Sequence, residues 1–350
     1  MADKRKKICI IGHFGFGQEF ADGQTVKTKT ITDELEQVFG ADQISRKDTE
    51  GARNKIFQLP FSIFKALKQH DNVVIFPAHN GLRVIAPLLV IGNVFFHRGL
   101  HYCVIGGWLP EFLKKHRWLK KFLKKFRGIY VETNTMKTVL TEMGFCNIFV
   151  LLNCKKLRIL EEDELFYPAS EPLGLCTFSR VMKEKGIEDA VNAVMRVNEF
   201  AGRQVYSLDI YGQVDANQTA WFEALKNTFP PYIRYRGVAE YDQSVAVLKG
   251  YFALLFPTYY DGEGFAGTLI DSMSSGVPII ASDWKYNSEI INEKNGLCYK
   301  THDTDDLCKR LEYIYTHQTE WNSKKVNCLA EARKYDVANA IGVLVNAIKQ

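Results

Sequence analysis

Two carboxylates, Glu263 and Asp271, stand eight positions apart in the phrase EGFAGTLID. Between them Gly264, Phe265, Ala266, Gly267 and Thr268 lead out of a polar loop into a helix expected over 266–275. The first turn of a helix has unpaired N–H groups and the positive end of the dipole, a setting that suits a phosphate. Three readings fit these residues. The first is an anion-binding loop whose carboxylate holds ligand hydroxyls. The second is the acid pair of a glycoside hydrolase. The third is a loop carboxylate and a dipole-complementing Asp with no chemistry. For the hydrolase the spacing is poor: eight helical residues separate groups by ~12 Å, where such enzymes need about 5–9.5 Å. A looped Glu263 would close part of that gap.

The elements that must position these residues repeat a strand–loop–helix unit. An apolar run over 252–256 predicts a buried strand stopped by Pro257. The helix stops at Gly276 and Pro278, and 277–281 predicts the next strand, completing a βαβ unit. Runs at 173–178, 205–211 and 233–236 predict the strands before it, and 303–315 and 320–334 predict helices after it. In the first half, strands are expected over 7–11, 72–76, 102–105, 129–132 and 148–152, with helical stretches between several of them. That half reads as an open parallel α/β sheet, with His79, Asn80, Gly106, Gly107 and Trp108 at strand ends. The first strand ends at Gly12, with further glycines at Gly15 and Gly17. Their spacing is not GxGxxG, and no acidic residue closes a clear second strand at the expected distance. The polar, acidic segment 153–172 reads as a linker. Val337, Ile341, Leu344, Val345 and Ile348 mark a final amphipathic helix.

At 350 residues, 46% hydrophobic and 13% aromatic, the chain can fill two cores. Its eight cysteines form no CxxC pair and have no His at zinc spacing, which predicts buried thiols in a reducing cytoplasm. No metal is expected, since no Asp-x-Asp sits at a strand end. The N-terminus has no secretory apolar stretch, and the longest apolar run, 84–96, is short of the ~20 residues a membrane span needs. A soluble or peripheral protein is expected. The net charge of +5 matters only where it clusters. It does so at 109–127, LPEFLKKHRWLKKFLKKFR, where Phe112, Leu113, Leu119, Phe122, Leu123 and Phe126 fall at helical spacing. Eight Lys and Arg residues from Lys114 to Arg127 fill the other faces. Two readings stay open: a sheet-covering helix with a solvated basic face, or a helix lying on an anionic membrane. Nucleic acid is disfavoured, because the aromatics lie among the apolar residues rather than among the charges.

The phrase EGFAGTLID, followed by SMSSGVPIIASD, resembles the signature of the family-four (group 1) retaining glycosyltransferases, with Asp271 where Glu is usual. FSRVMKEKG at 178–186 is similar to that family's strand-then-Gly-Arg-Leu…Lys-Gly element, with Ser179 in place of Gly. The resemblance covers nearly the whole chain and is most specific in these two places. It implies a GT-B fold: two Rossmann-like parallel-sheet domains facing each other across a cleft. The acceptor domain would be 1–160 and the nucleotide-sugar donor domain 161–335, with 336–350 crossing back to the first. It further implies retaining transfer from a nucleotide-diphosphate sugar, without metal or cofactor, in surface polysaccharide synthesis. In that setting Arg180 and Lys185 would bind the diphosphate together with the helix start at Ala266, Gly267 and Thr268. Glu263 and the 264–267 backbone would hold the sugar, and Asp271 the ribose. Gly23 and Gln24 stand where the family carries a glycine-rich donor-facing loop, and Gly237, Val238 and Glu240 stand near the base. The family's sugar-contacting histidine has no counterpart at Gly106, Gly107 and Trp108, which leaves His13 and His79 as substitutes. The implied acceptor is a glycan, lipid-linked if the basic run holds the chain to the cytoplasmic leaflet. A non-catalytic nucleotide-sugar-binding subunit is the alternative.

Overall fold

The computed structural model describes residues 7–15, 23–49, 58–156 and 158–350. The chain forms two units, Met1–Lys156 with Asp336–Gln350, and Leu157–Tyr335. In the first, β1 (Ile8–Gly12), α1 (Gly23–Phe39), β2 (Ile44–Asp48), α2 (Leu59–Gln69), β3 (Asn72–Ile75) and α3 (His79–Asn93) follow in order. Then come β4 (Gly99–Cys103), α4 (Leu109–Lys115), α5 (Lys120–Leu123), β5 (Gly128–Val131), α6 (Asn134–Glu142) and β6 (Ile148–Val150). The strands are all parallel in the order β2-β1-β3-β4-β5-β6. Strands β1, β3, β4 and β5 are buried along their whole length, as continuous apolar runs in a sheet covered on both faces must be.

The second unit holds β7 (Leu173–Phe178), α7 (Ile187–Ala201), β8 (Tyr206–Tyr211), α8 (Thr219–Lys226), β9 (Ile233–Gly237) and α9 (Ser244–Leu248). It continues with β10 (Ala253–Phe256), α10 (Gly267–Ser274), β11 (Ile279–Ser282), α11 (Asn287–Ile290), β12 (Gly296–Tyr299), α12 (Thr304–Thr316) and α13 (Gln318–Ala332). These strands too are all parallel, in the order β12-β11-β10-β7-β8-β9. The chain runs outward from β7 in one direction and from β10 in the other, so the order reverses between them. In an open α/β sheet ligands bind beyond the carboxyl ends of the strands at that reversal. In the first unit the reversal lies between β1 and β3. The chain returns to the first unit with α14 (Val337–Ala340) and α15 (Gly342–Lys349), whose Leu344 and Ile348 join its core.

Two edge strands, β2 and β12, lie outside the strands expected from the sequence. Strand β2, ISRKD, is half-buried at a sheet edge, and β12 is four residues long at the other sheet's edge. Asp48 ends β2, well past the distance from the glycines at which a dinucleotide-binding acid is expected. The Asp48 carboxylate accepts from the Phe14 N–H at 3.2 Å. The glycine pattern beyond Gly15, including Gly17, lies outside the described residues.

The segment 109–127 is not one helix. Helix α4 stops at His116, residues Arg117–Leu119 make a single 3-10 turn, and α5 follows. Six residues of unbroken helix would turn Leu119 well off the face that buries Leu113. The break resets the phase, and Leu113, Leu119, Leu123 and Phe126 all point into the unit. The expected final helix is likewise broken, at Ile341.

Helix α13 docks through Trp321, whose Nε1–H donates to the Phe252 carbonyl at 3.0 Å. One turn on, Lys325 is buried with its ammonium near the carbonyls Tyr251 O at 3.4 Å and Gly276 O at 3.5 Å and 6.0 Å from the centre of the Tyr167 ring. Burial pushes its pKa down from the ordinary 10.5 to about 8. Between these values the unfolded chain binds more protons than the folded one, so this group adds stability as pH rises, by about 3 kcal/mol in all. Lys325→Met is therefore expected to be more stable than the wild type at neutral pH, with the advantage shrinking towards pH 10. Urea denaturation of both proteins across that range checks it, and a constant difference would refute it.

Candidate functional site

Strands β7 and β10 are neighbours, with Ala253 opposite Leu175, so the loops that follow them leave the same edge of the sheet. The first loop holds Ser179 and Arg180, then a 3-10 turn at Lys183–Lys185, then Gly186. Gly186 has φ +68°, and a Cβ there would fall 2.0 Å from the Pro257 carbonyl oxygen, so only glycine fits. Gly212, at the end of β8, fits the same loop from its other side. It has φ +136°, and a Cβ would lie 1.8 Å from Ser179 O.

The second loop is tied down along its length. Tyr259 N–H donates to Glu184 O at 2.8 Å, and Trp284 Nε1–H donates to Tyr260 O at 2.8 Å. The Ser282 hydroxyl donates to Thr258 O at 2.5 Å. Glu263 N–H closes back on Tyr260 O at 3.0 Å. These ties bring Lys185 Nζ to 2.5 Å from Glu263 Oε2, and the Thr258 hydroxyl donates to the same oxygen at 2.8 Å. The Lys185 and Glu263 side chains are only 11% and 8% exposed, so the pair is largely out of water and holds through close, charge-assisted hydrogen bonds.

The Lys185 ammonium also lies 5.1 Å from the centre of the Tyr260 ring and 5.6 Å from that of Phe256. Arg180, half-exposed, reaches the same Tyr260 ring at 5.8 Å and Asp215 at 3.6 Å. One tyrosine ring thus cradles two cations beside the start of α10. That helix has Ala266 as its N-cap, with no side-chain cap bond. In its first turn the Thr268 hydroxyl oxygen is shut off from solvent and has no partner. An unmet polar atom at a helix start is suited to a ligand oxygen. Phe265 packs edge-on against Tyr335 at 4.7 Å, and Asp271 is buried one turn further along the helix.

The structure therefore brings Lys185 and Glu263 into contact and joins Arg180 to them through Tyr260. Gly264, Phe265, Ala266, Gly267, Thr268 and Asp271 continue the same loop and helix. Gly237 ends β9, two strands away from β7, and Val238 and Glu240 follow it, both exposed. Gly23 and Gln24 open α1 in the other unit, where the Gln24 amide donates to Phe76 O at 3.3 Å. His13 and His79 are in that unit as well. His13 is 4.0 Å from Asp48, and His79 stacks on Trp108 at 4.1 Å, where burial lowers its pKa and favours the neutral ring. Thr258, Tyr260 and Asp215 were missed by sequence reasoning. The first two sit in the short phrase TYYDGE between the strand and Glu263, which is the signal that was there to be used. Among the described residues no group of three His, Cys, Asp or Glu side chains could hold a metal ion.

Comparison with known proteins bears on this arrangement. Residues 173–317 match the family model described as "Glycosyl transferases group 1". The structure of Anabaena Alr3699/HepE in complex with UDP and glucose superposes with a TM-score of 0.73 at 12% identity, covering 99% of this chain and 100% of that one. The lipopolysaccharide outer core galactosyltransferase WaaB, in its apo form, gives 0.72 at 15% identity over 98% and 99% of the two chains. The chain has the GT-B fold, and residues 173–317 belong to the group 1 glycosyl transferases. The glycosyl transferase segment runs from the first residue of β7 to one residue past α12, so it contains both loops and α10.

A curated relative is the GtfA subunit of the UDP-N-acetylglucosamine–peptide N-acetylglucosaminyltransferase of Streptococcus agalactiae, 29% identical over 174 residues. That match takes in 43% of this chain and spans only about a third (33%) of the relative's length.

Gly186→Ala tests the locking of the two loops. The positive φ and the contact with Pro257 are expected to cost about 1–3 kcal/mol or more, lowering the melting temperature. The Ala variant should also lose any stabilisation that a nucleotide gives the wild type. An unchanged melting curve would show that the loops do not need this contact.

Proposed function

We propose that the chain transfers a sugar from a nucleotide-diphosphate sugar to a glycan acceptor, with retention of configuration and without a metal. The observation that carries this reading is the Lys185–Glu263 pair held beside the start of α10. When the donor enters, its diphosphate draws Lys185 away from Glu263. Arg180 and the first turn of α10, with the Thr268 hydroxyl, take the remaining phosphate oxygens. Glu263, released from Lys185, accepts from the sugar hydroxyls, and Asp271 holds the ribose.

In the reaction the bond between the sugar C1 and the diphosphate oxygen breaks, and the acceptor oxygen bonds to C1 on the same face. The acceptor's proton passes to the departing diphosphate. Negative charge grows on that leaving group, and the two cations and the helix dipole are aimed where it grows, which is the most effective kind of transition-state stabilisation. The neighbours crystallised with UDP, and the relative named for a UDP-sugar, make UDP the nucleotide of choice.

The acceptor is a lipid-linked glycan of surface polysaccharide synthesis, reached on the cytoplasmic leaflet through the basic segment 109–127. A lipopolysaccharide transferase among the structural neighbours supports a surface-glycan acceptor. No helix among the described residues is long and apolar enough to cross a membrane.

Glu263→Ala and Lys185→Ala are each expected to lower transfer by about 10²–10³, with circular dichroism unchanged. Near-normal turnover of either purified variant would remove the assignment. Among UDP-, GDP- and ADP-sugars, the UDP compounds are expected to raise the wild-type melting temperature most. Asp271→Glu should be the mildest of these changes.

A further inference from the structure

Helices α2 and α3 of the first unit pack closely, since a Cβ at Gly92 would lie 2.9 Å from Leu67 Cδ1. Phe64 of α2 meets Phe96 just past α3 edge-on at 5.1 Å. The outer side of this helix pair and of the turn that follows carries large apolar residues beside the exposed Lys65, Lys68 and Arg83: Phe61 is 73% exposed, Ile91 58%, Val94 63% and Phe95 79%. Single exposed apolar residues are ordinary on protein surfaces, but several large ones on one packed pair of elements mark a contact surface. Helix α3 also packs on α5 and the turn before it, where Trp118 is half-exposed.

The charge around this ridge identifies what covers it. Residues 58–127 hold twelve Lys and Arg against two acids, Asp71 and Glu111. Both acids are already paired, with Arg98 at 3.5 Å and Lys114 at 2.5 Å. The stretch is thus +10 in a chain whose total is +5, so the rest of the chain is net acidic. An apolar ridge of Phe, Ile and Val set among unopposed cations is complementary to a bilayer with anionic headgroups. The basic segment 109–127 supplies little of the apolar half of such a contact, because Leu113, Leu119, Leu123 and Phe126 face the core and only Trp118 among its large apolar residues is exposed.

We infer that the α2–α3 ridge inserts into an anionic membrane while the lysines of 109–127 lie on the headgroups. This deepens the proposed function by naming the surface through which a lipid-carried acceptor is reached, and rests on that reading only for the acceptor.

The test is sedimentation of the full chain with phosphatidylcholine vesicles, with and without phosphatidylglycerol, at low and high salt. The wild type is expected to bind the anionic vesicles at low salt and to keep part of that binding at high salt, where screening removes the ionic share. The variant Phe61→Ser/Ile91→Ser/Phe95→Ser should lose the salt-resistant part, with binding at least about tenfold weaker, and an unaltered melting curve. The variant with Lys120, Lys121, Lys124 and Lys125 changed to Glu should lose the salt-sensitive part. Equal binding of the ridge variant and the wild type at both salt levels would overturn the inference while leaving the ionic attachment standing. A wild type that ignores all vesicles overturns both. If the wild type ignores vesicles but is a dimer that the ridge variant turns into a monomer, the ridge is an interface between copies. The UDP-dependent melting shift, read on the same proteins, should be equal in wild type and ridge variant. Its absence alongside vesicle binding would count against the donor site instead.

Discussion

The carbonyl oxygen of Pro257 occupies the space in which a side chain at position 186 would lie. Much of the second unit's chemistry depends on that contact. It forces the loop after β7 and the loop after β10 against one another, and Glu184 O then takes the Tyr259 N–H across the join. Two residues 78 positions apart, Lys185 and Glu263, are left with nowhere to go but towards each other. The sheet order makes this possible, because only at a reversal do two neighbouring strands send their following helices away in opposite directions and leave a crevice between.

The parts of this arrangement that follow from local pattern were legible in the sequence. Strands such as 173–178 and 252–256 are short apolar runs between glycines and prolines, and in a buried parallel sheet that is how a strand reads. The carboxylate spacing and the glycine-rich helix entry were legible for the same reason: they are contiguous. What could not be read was anything that depends on two distant segments meeting. Tyr260 looks like any loop tyrosine until Arg180 and Lys185 arrive over its ring. Strand β2 was invisible because an edge strand with one covered neighbour has no need of an apolar run, and ISRKD has only one strongly apolar residue. In 109–127 the apolar spacing leaves both a sheet-covering and a membrane-lying helix open, and the six-residue step from Leu113 to Leu119 is one that only a broken helix can bury.

The surface of the first unit is hard to read for a related reason. A basic run draws the eye in a sequence, whereas Phe61 and Phe95 are each one apolar residue among many. Their exposure is a property of how α2 and α3 sit on the sheet. Helix α3 contains no acid and buries Leu82, Ile85, Ala86 and Leu89, while Val84 and Ile91 on its other side are exposed. That a helix should be apolar on both sides is uninformative in sequence, where it reads simply as a buried helix.

Each unit holds an ion pair at the same distance, and the comparison explains why only one of them has been given a ligand. Lys27 of α1 and Glu132 beyond β5 also meet at 2.5 Å, each only 3% exposed. Removing either partner would strand a buried charge, so the pair ties α1 to the end of β5 and has no route by which an anion could replace Glu132. Lys185 and Glu263 are less completely enclosed, and the Lys185 ammonium lies near the Tyr260 and Phe256 rings as well as the carboxylate. The difference is therefore not in the pair but in its surroundings. An ion pair serves as a fixed brace where both charges are sealed in. On the function proposed above, it becomes an exchangeable site where it is less enclosed and a second cation and a helix start lie nearby.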